Sequence, residues 1–197
     1  MVLTLERSVL LVGLPGAGKT KVGRMLGARI GCAFADSDEM VEREAGRPIP
    51  AIFAEDGEAA FRALERRLIL SLLAQETRVI ALGGGGFSDP AVRAAARANA
   101  TVFWLDVPED LLAARIAASG GRPLFDGRDI AETLSELIAR RAPDYAEAHH
   151  RIAAATSSEM EAQILRILHQ CTVAIDRPLG RSSVAAIPTT GSLTKSR

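Results

Sequence analysis

The chain has 197 residues, a length that suits one domain with a substantial apolar core. Its 24 basic residues equal its 24 acidic residues, which argues against a general binder of nucleic acids or of anionic membranes. Its two cysteines, Cys32 and Cys171, have neither a metal-binding nor a disulfide spacing, so we expect both to be reduced, in a cytoplasmic protein.

The first predicted element is a buried strand over the apolar residues 8–12. It is too short to span a membrane and no cleavage site follows it, so we expect no signal peptide. The stretch GLPGAGKT at 13–20 comes next and fits G-x-x-x-x-G-K-[ST], the phosphate-binding P-loop. A helix is predicted after it, because apolar residues recur at helical spacing at Val22, Met25, Leu26 and Ile30.

A strand, a glycine loop and a helix in this order favour a site for a nucleoside triphosphate and Mg²⁺. The backbone N–H groups of Gly16, Ala17 and Gly18 would converge on phosphate oxygens at the positive end of the helix. Lys19 would reach the β- and γ-phosphates, and the Thr20 hydroxyl would be a magnesium ligand. A glycine-rich turn that binds nothing is the alternative, but a random chain matches this pattern only about once in a hundred.

Strands and helices alternate through the rest of the chain, which predicts a mostly parallel sheet covered on both faces. The further strands are predicted at 32–36, 79–82, 101–105 and 151–155. Further helices are predicted at 38–45, 57–75 and 108–118. Another begins at 89, another ends at 141, and the last has apolar residues along one side over 160–171. We expect the helix at 38–45 to close before Gly46, with Pro48 and Pro50 barring its continuation, and Pro143 to end the helix that runs through Arg141.

Two stretches break this alternation. Residues 119–129 combine glycines and prolines with Arg122 and Arg128 and have few apolar anchors, so we predict a mobile lid over about 117–129. Beyond Asp176 the composition shifts to Pro, Gly, Ser and Thr, and we expect the tail, 176–197, to be disordered. The sequence therefore predicts a single domain over residues 1–175.

Two carboxylates, Asp36 and Asp38, follow the second predicted strand. Ligands of open α/β sheets gather at the carboxyl ends of strands, and residues two apart in an extended segment point the same way. One carboxylate could serve a magnesium shell and the other an acceptor hydroxyl. The alternative is a helix N-cap and a turn carboxylate.

Further polar and glycine-rich segments complete the predicted acceptor side. Arg62 and Glu65 share one helical face, where Glu65 could orient the guanidinium towards a carboxylate ligand; a surface ion pair is the alternative. The glycine run at 83–86 would let backbone N–H groups touch a ligand, and a plain flexible loop is the competing interpretation.

The chain resembles shikimate kinase over roughly residues 8–172. The resemblance rests on six segments in that family's order and spacing, GLPGAGKT, DSD, FRALE, GGG, RPL and RAPDY. The resemblance implies a nucleoside-monophosphate-kinase-like α/β fold, with a five-stranded parallel sheet ordered 2-3-1-4-5 and a mobile lid. It also implies transfer of the ATP γ-phosphoryl group to the 3-hydroxyl of shikimate, on the route to chorismate and the aromatic amino acids.

The resemblance also implies roles for single residues. Asp38 would bind the shikimate hydroxyls and accept the proton, and Asp36 would hold Mg²⁺. Arg62 and Arg141 would clamp the shikimate carboxylate. The implied catalytic set is Lys19, Asp38 and Arg122, the last being the lid arginine over the phosphates. Arg115 would lie against the adenine, and the implied substrate pocket includes Phe53, Phe61, Glu65, Gly83, Gly84 and Gly85.

The sequence departs from the family pattern in several places, among them Gly86, which continues the glycine run where a small residue is usual. Asp144 stands where the family usually has an aliphatic residue, and the adjacent Tyr145 is kept. After the fifth strand, where a basic residue near the adenine is common, the sequence has Thr156, Ser157 and Ser158.

Other functions are less well supported by the same residues. A gluconate kinase or another small-molecule kinase would share the P-loop and lid, but not the combination of D-x-D, F-R-x-x-E and an arginine before A-P. A P-loop switch is disfavoured because no N-K-x-D motif follows, and a nucleic-acid-dependent ATPase because the charge is balanced. We expect a monomer, with His149 and His150 outside any metal or acid–base site.

Overall fold

The computed structural model of the chain describes residues 5–119, 125 and 127–175. Within these residues the strands are β1 (Ser8–Val12), β2 (Phe34–Asp36), β3 (Val79–Ala81), β4 (Ala100–Asp106) and β5 (His150–Ala153). The helices are α1 (Lys19–Ile30), α2 (Ser37–Ala45), α3 (Ile49–Glu55), α4 (Gly57–Leu73), α5 (Pro90–Asn99), α6 (Glu109–Ser119), α7 (Ile130–Tyr145) and α8 (Ser157–Ile175). A short 3₁₀ turn, Gly86–Ser88, precedes α5.

The five strands form one parallel sheet in the order β2-β3-β1-β4-β5. The central strand β1 pairs on both sides, so that Val9 lies between Val79 of β3 and Thr101 of β4. Every residue of β1 is buried, as expected for a parallel strand covered by helices on both faces. The predicted fold class and strand order are confirmed.

Two apolar clusters hold the molecule together. The larger one surrounds β1 and includes Val22 and Leu26 of α1, with Met160 and Ile164 of the adjoining helix α8. The smaller cluster lies where α2, α3 and α4 meet, and its buried members are Val41, Ile52, Phe61 and Leu68. Phe61 belongs to this second cluster, and the residue that follows it, Arg62, lies beside Gly85, after β3.

The sequence prediction missed helix α3, although it placed the end of α2 correctly. Helix α2 does end at Ala45, but α3 begins at Ile49 with Pro48 as its N-cap and Pro50 in its first turn. A proline in the first turn removes an N–H that would have no helical acceptor there, so it starts a helix as readily as it ends one.

The predicted end of α7 was also wrong, because the helix continues through Pro143 to Tyr145. A proline at this position removes the hydrogen bond to the carbonyl of Ala139. Pro143 and Ala139 are both exposed, so water can satisfy that carbonyl. The buried side chain of Tyr145 fixes the last turn from the other side.

Parts of the sequence prediction lie outside the described residues. These are the tail, 176–197, and the centre of the lid with Arg122. Within the described part of the lid, Phe125 is buried against the main core. Among the described helices, none combines the length and apolarity needed to cross a bilayer.

The two adjacent histidines, His149 and His150, contact residues of β4 at one end of the sheet. The Nδ1 atom of His149 accepts a hydrogen bond from the backbone N–H of Val102 at 3.0 Å. The ring of His150 stacks on Phe103, with 5.1 Å between ring centroids. Both contacts extend the pairing of β4 with β5.

Candidate active site

The P-loop connects the carboxyl end of β1 to the first turn of α1. Gly16 and Gly18 have φ values of 84° and 89°, a left-handed conformation that residues with a Cβ rarely adopt. The Lys19 ammonium donates hydrogen bonds to the carbonyl oxygens of Gly13 and Leu14 at 2.9 and 3.1 Å. The loop therefore holds the ammonium of its lysine against its own carbonyl groups, and the lysine begins the helix at its positive end.

The two predicted magnesium ligands meet beside this loop. The Thr20 hydroxyl donates a 2.7 Å hydrogen bond to Oδ2 of Asp36, although 16 residues separate them. The other oxygen of Asp36 accepts from the N–H of Asp38 at 3.0 Å and caps α2, so the N-cap interpretation of this carboxylate also holds. A hydroxyl and a carboxylate are the hard oxygen donors that Mg²⁺ prefers, so this pair fits the ion.

A cation at this position would need ligands from elsewhere as well. Among the described residues, no group of three or more His, Cys, Asp or Glu side chains could hold a metal by itself. Phosphate oxygens and water commonly complete a magnesium shell that a P-loop protein provides only in part.

Asp38 lies at the first turn of α2, facing the end of β3. Its pKa is raised to about 6, mainly by burial and next by the neighbouring Asp36, while Lys19 acts in the opposite direction. Its Oδ1 atom is so close to Gly83 that a Cβ added there would lie 2.1 Å away. A carboxyl that changes protonation near neutral pH is suited to accept a proton.

The segment after β3, residues 83–85, is the glycine loop, and each of its residues touches a different predicted site side chain. A Cβ on Gly84 would lie 2.8 Å from Nη1 of Arg141, and one on Gly85 would lie 2.7 Å from Nη1 of Arg62. Gly83 adjoins Asp38 as described above. The glycines are therefore required by close packing, and the alternative of a plain flexible loop does not describe them.

Arg62 is held by its own helix. Glu65 accepts from Nη1 at 2.7 Å, Glu58 accepts from Nε at 3.3 Å, and the guanidinium carbon lies 4.9 Å from the ring centre of Phe61. Glu65 is only 3% exposed, whereas the Arg62 side chain is 38% exposed, so the ion pair is partly buried. The neighbouring Phe53 packs on Phe61 with 4.6 Å between centroids and is 37% exposed.

These groups enclose a cavity of about 410 Å³ that opens beside the P-loop. Its wall brings together the side chains predicted for the acceptor side, namely Asp38, Phe53, Phe61, Arg62, Glu65 and Arg141, with Gly84, Gly85 and Pro15. A carboxylate and two guanidinium groups line this space, a combination suited to a ligand that has both hydroxyl and carboxylate groups.

Arg115 lies on the other side of the P-loop. Its guanidinium donates to the carbonyl oxygen of Gly16 at 3.1 Å and to that of Ala155. The segment that follows Ala155 forms a capping box, in which Thr156 and Glu159 exchange hydrogen bonds between side chain and backbone. The sequence departure after the fifth strand is thus explained by the start of α8.

Sequence reasoning missed two buried hydroxyl groups around the glycine loop. The Ser37 hydroxyl accepts from the N–H of Gly83 at 2.8 Å, and the Tyr145 hydroxyl donates to the carbonyl of Gly84 at 2.6 Å. Ser37 lies between the two carboxylates of the D-x-D motif, which was the available signal. Tyr145 follows Arg141 by four residues, but this signal was lost because Pro143 was predicted to end the helix.

Comparisons with known sequences agree with this geometry. A family model described as shikimate kinase matches residues 15–172. A shikimate kinase from Caulobacter vibrioides is 43% identical over 166 residues, which are 83% of this chain and 83% of the relative. One from Paramagnetospirillum magneticum is 41% identical over 170 residues, covering 86% of this chain and 87% of the relative.

Solved structures separate the family from its fold relatives. A shikimate kinase from Acinetobacter baumannii in complex with shikimate matches with a TM-score of 0.79 and 32% identity, over 89% of this chain and 97% of that chain. A gluconokinase from Sinorhizobium meliloti has a TM-score of 0.54 and 17% identity, over 85% and 97% of the two chains, a likeness of fold alone. The chain therefore belongs to the shikimate kinase family.

Proposed function

We propose that the protein transfers the γ-phosphoryl group of ATP to the 3-hydroxyl of shikimate, giving 3-phosphoshikimate and ADP. The observation that carries the proposal is the convergence of Asp38, Arg62 and Arg141 on the glycine loop, next to a P-loop. Family membership supports the same substrate, because a relative of the same fold and family is described in complex with shikimate.

The acceptor is held by its carboxylate. Arg62 and Arg141 approach the glycine loop from α4 and α7 respectively, and a carboxylate between them would receive hydrogen bonds from both. Fixing one end of a rigid ring in this way sets the position of the hydroxyl at its other end. Asp38, which lines the same cavity, is the group that the hydroxyl would meet.

The chemical step needs a base, a phosphate cradle and positive charge. The 3-hydroxyl oxygen forms a bond to the γ-phosphorus, the bond from that phosphorus to the β,γ-bridging oxygen breaks, and ADP leaves. Asp38 accepts the hydroxyl proton, and the P-loop N–H groups with Lys19 hold the phosphates. A magnesium ion held by Thr20 and Asp36 would, when bound, neutralise charge on the β- and γ-phosphates.

Further parts of the proposal come from the sequence resemblance. Arg122 would close over the phosphates as part of a lid at about 117–129, and its position lies outside the described residues. Arg115 would lie against the adenine, a role supported by its hydrogen bond to the P-loop carbonyl of Gly16. We further propose one domain over residues 1–175, acting as a monomer, a proposal supported by the acceptor-side residues that the described part of one chain brings to the cavity.

A coupled assay of ADP release tests the function directly. Purified protein with ATP and Mg²⁺ should release ADP rapidly with shikimate, and slowly with gluconate, with a nucleoside monophosphate or with no acceptor. Mass spectrometry should detect phosphoshikimate in equal amount to ADP. Equal ADP release with and without shikimate would favour a nucleotide switch, and a preference for gluconate would favour the other kinase of this fold.

A further inference from the structure

Tyr145 is a buried aromatic residue at the end of α7, between the glycine loop and the sheet. It is 2% exposed, and its ring lies 6.0 Å from that of Trp104 and 6.5 Å from that of Phe87, measured between centroids. These rings fix the plane of the phenol and direct its hydroxyl towards the glycine loop.

The hydroxyl bonds to the glycine loop beside a guanidinium group. It donates to the carbonyl of Gly84 at 2.6 Å, and the charge of the nearby Arg141 lowers the pKa of the phenol against the larger effect of burial. Arg141 and Tyr145 are four residues apart on one helix, so their side chains are neighbours. Burial raises the pKa of Tyr145 to about 12, so the hydroxyl keeps its proton for Gly84 at any physiological pH.

Arg141 also contacts the backbone of Gly84, the residue to which Tyr145 donates. A Cβ on Gly84 would lie 2.8 Å from Nη1 of Arg141, so the guanidinium rests directly on the Gly84 backbone. Arg141 is 8% exposed. A buried guanidinium has five N–H donors to satisfy, and a phenol one turn away on its own helix is an acceptor that leaves other donors for a ligand.

Building on the proposed function, we infer that Tyr145 is a positioning residue for shikimate binding. Its hydroxyl, anchored on the carbonyl of Gly84, holds the Arg141 guanidinium in the plane in which it meets the substrate carboxylate. Tyr145 does not itself touch the reacting atoms. Its effect should therefore appear in the affinity for shikimate and should depend on the presence of Arg141.

The variant Tyr145→Phe removes one oxygen and keeps the ring. The KM for shikimate should increase roughly ten- to a hundredfold, the range expected for losing a hydrogen bond to a charged group. The kcat should change less than about threefold, and the KM for ATP should not change. Thr133→Val is the matched control, because Thr133 is a buried hydroxyl residue on α7 whose Oγ1 has no hydrogen-bond partner among the described residues.

A double-mutant cycle separates positioning from general stability. In an Arg141→Ala background, the Tyr145→Phe change should alter the KM for shikimate less than about twofold, because the positioned group is gone. An equal effect with and without Arg141 would overturn the inference. So would an unchanged KM in the single variant, or an equal rise in Thr133→Val.

A second replacement covers the case in which the phenylalanine variant does not fold. With 4-aminophenylalanine at position 145, the side chain still donates to Gly84 but is a poor acceptor for Arg141. We expect a native melting temperature and a raised KM for shikimate, and a wild-type KM would contradict the inference. If the wild-type protein itself shows no shikimate-dependent ADP release, the proposed function fails, which is a separate outcome.

Discussion

Asp38 shows how the environment of a single residue determines its chemistry. It lies within the electrostatic reach of Asp36, Glu65 and Glu42, which all favour its protonated form, and of Lys19, which opposes them. Burial is the largest contribution, and the pKa is about 6. The site therefore contains a carboxyl group whose pKa lies close to the pH at which the enzyme works.

The pH dependence of activity and stability follows from this pKa. The kcat/KM for shikimate should rise with pH through about 6, as Asp38 loses its proton and can act as the acceptor. The folded pKa is above the ordinary value of 3.8, so the folded state binds this proton more tightly than the unfolded state does. The contribution of Asp38 to stability should therefore fall as pH rises from about 4 to above 6.

The variant Asp38→Asn separates the two effects. Its kcat should be lower by a factor of about 100 or more, the usual contribution of a general base. Its melting temperature relative to the wild type should increase between pH 4.5 and pH 7. Glu39→Gln is the control, since Glu39 is an exposed neighbour paired with Arg24. Equal pH dependence of melting in wild type and Asp38→Asn would refute the raised pKa.

Removing Arg62 or Arg141, the two arginines of the carboxylate clamp, should weaken the binding of shikimate but not that of ATP. Arg62→Ala and Arg141→Ala should each raise the KM for shikimate at least about tenfold and leave ATP binding unchanged, since a charged hydrogen bond contributes roughly 1.5–3 kcal/mol. Arg67→Ala is a matched control for Arg62→Ala. Arg67 lies on the same helix, α4, but its side chain is exposed and pairs with Glu44 of α2. Unchanged shikimate kinetics would remove that arginine from the clamp.

At the scale of elements, α7 shows how a local rule yields to tertiary contacts. Pro143 predicts a helix end, yet the helix continues for two more residues. Arg93 pairs with Asp144 at 3.1 Å, and Tyr145 bonds to Gly84, so the residues after the proline are tied to α5 and to the glycine loop. The departure at Asp144 from the aliphatic residue usual in the family is thus a contact with α5.

Replacing Pro143 should stabilise the last turn of α7. Pro143→Ala restores an N–H for the carbonyl of Ala139, and the free energy of unfolding should rise by about 1–2 kcal/mol, less than the full helix-interior cost of proline because the site is near the helix end. Chemical denaturation measures this. Pro90→Ala is the control, because Pro90 begins α5, where proline is favourable, and no gain is expected there. Destabilisation by Pro143→Ala would indicate that the proline itself is needed in that turn.

At the scale of the whole molecule, the sheet order brings the site together. The strand β3 lies between β1 and β2, so the P-loop, the D-x-D motif and the glycine loop all follow neighbouring strands. Helices α4 and α7 then bring Arg62 and Arg141 to the glycine loop from two sides. Segments that are far apart in sequence become one cavity only through this order.

Truncation tests how much of the chain this assembly needs. Deleting residues 176–197 should leave kcat and both KM values unchanged within about twofold, because the family match ends at 172 and every predicted site residue precedes it. Deletion from residue 157 is the contrasting case, because it removes the core residues Met160 and Ile164 and should prevent folding. Loss of the fold on removing 176–197 alone would show that the tail packs on the domain.

The sequence by itself determined the strand–loop–helix unit of the P-loop, the alternation of elements and the identity of the charged groups. These depend on short-range spacing, which a helix or a strand converts directly into geometry. Tertiary structure alone decided that α3 starts between two prolines and that α7 runs past Pro143. It also decided that Ser37 and Tyr145 meet at the glycine loop, because a hydrogen bond between residues 46 or 61 positions apart depends on the packing of the whole sheet.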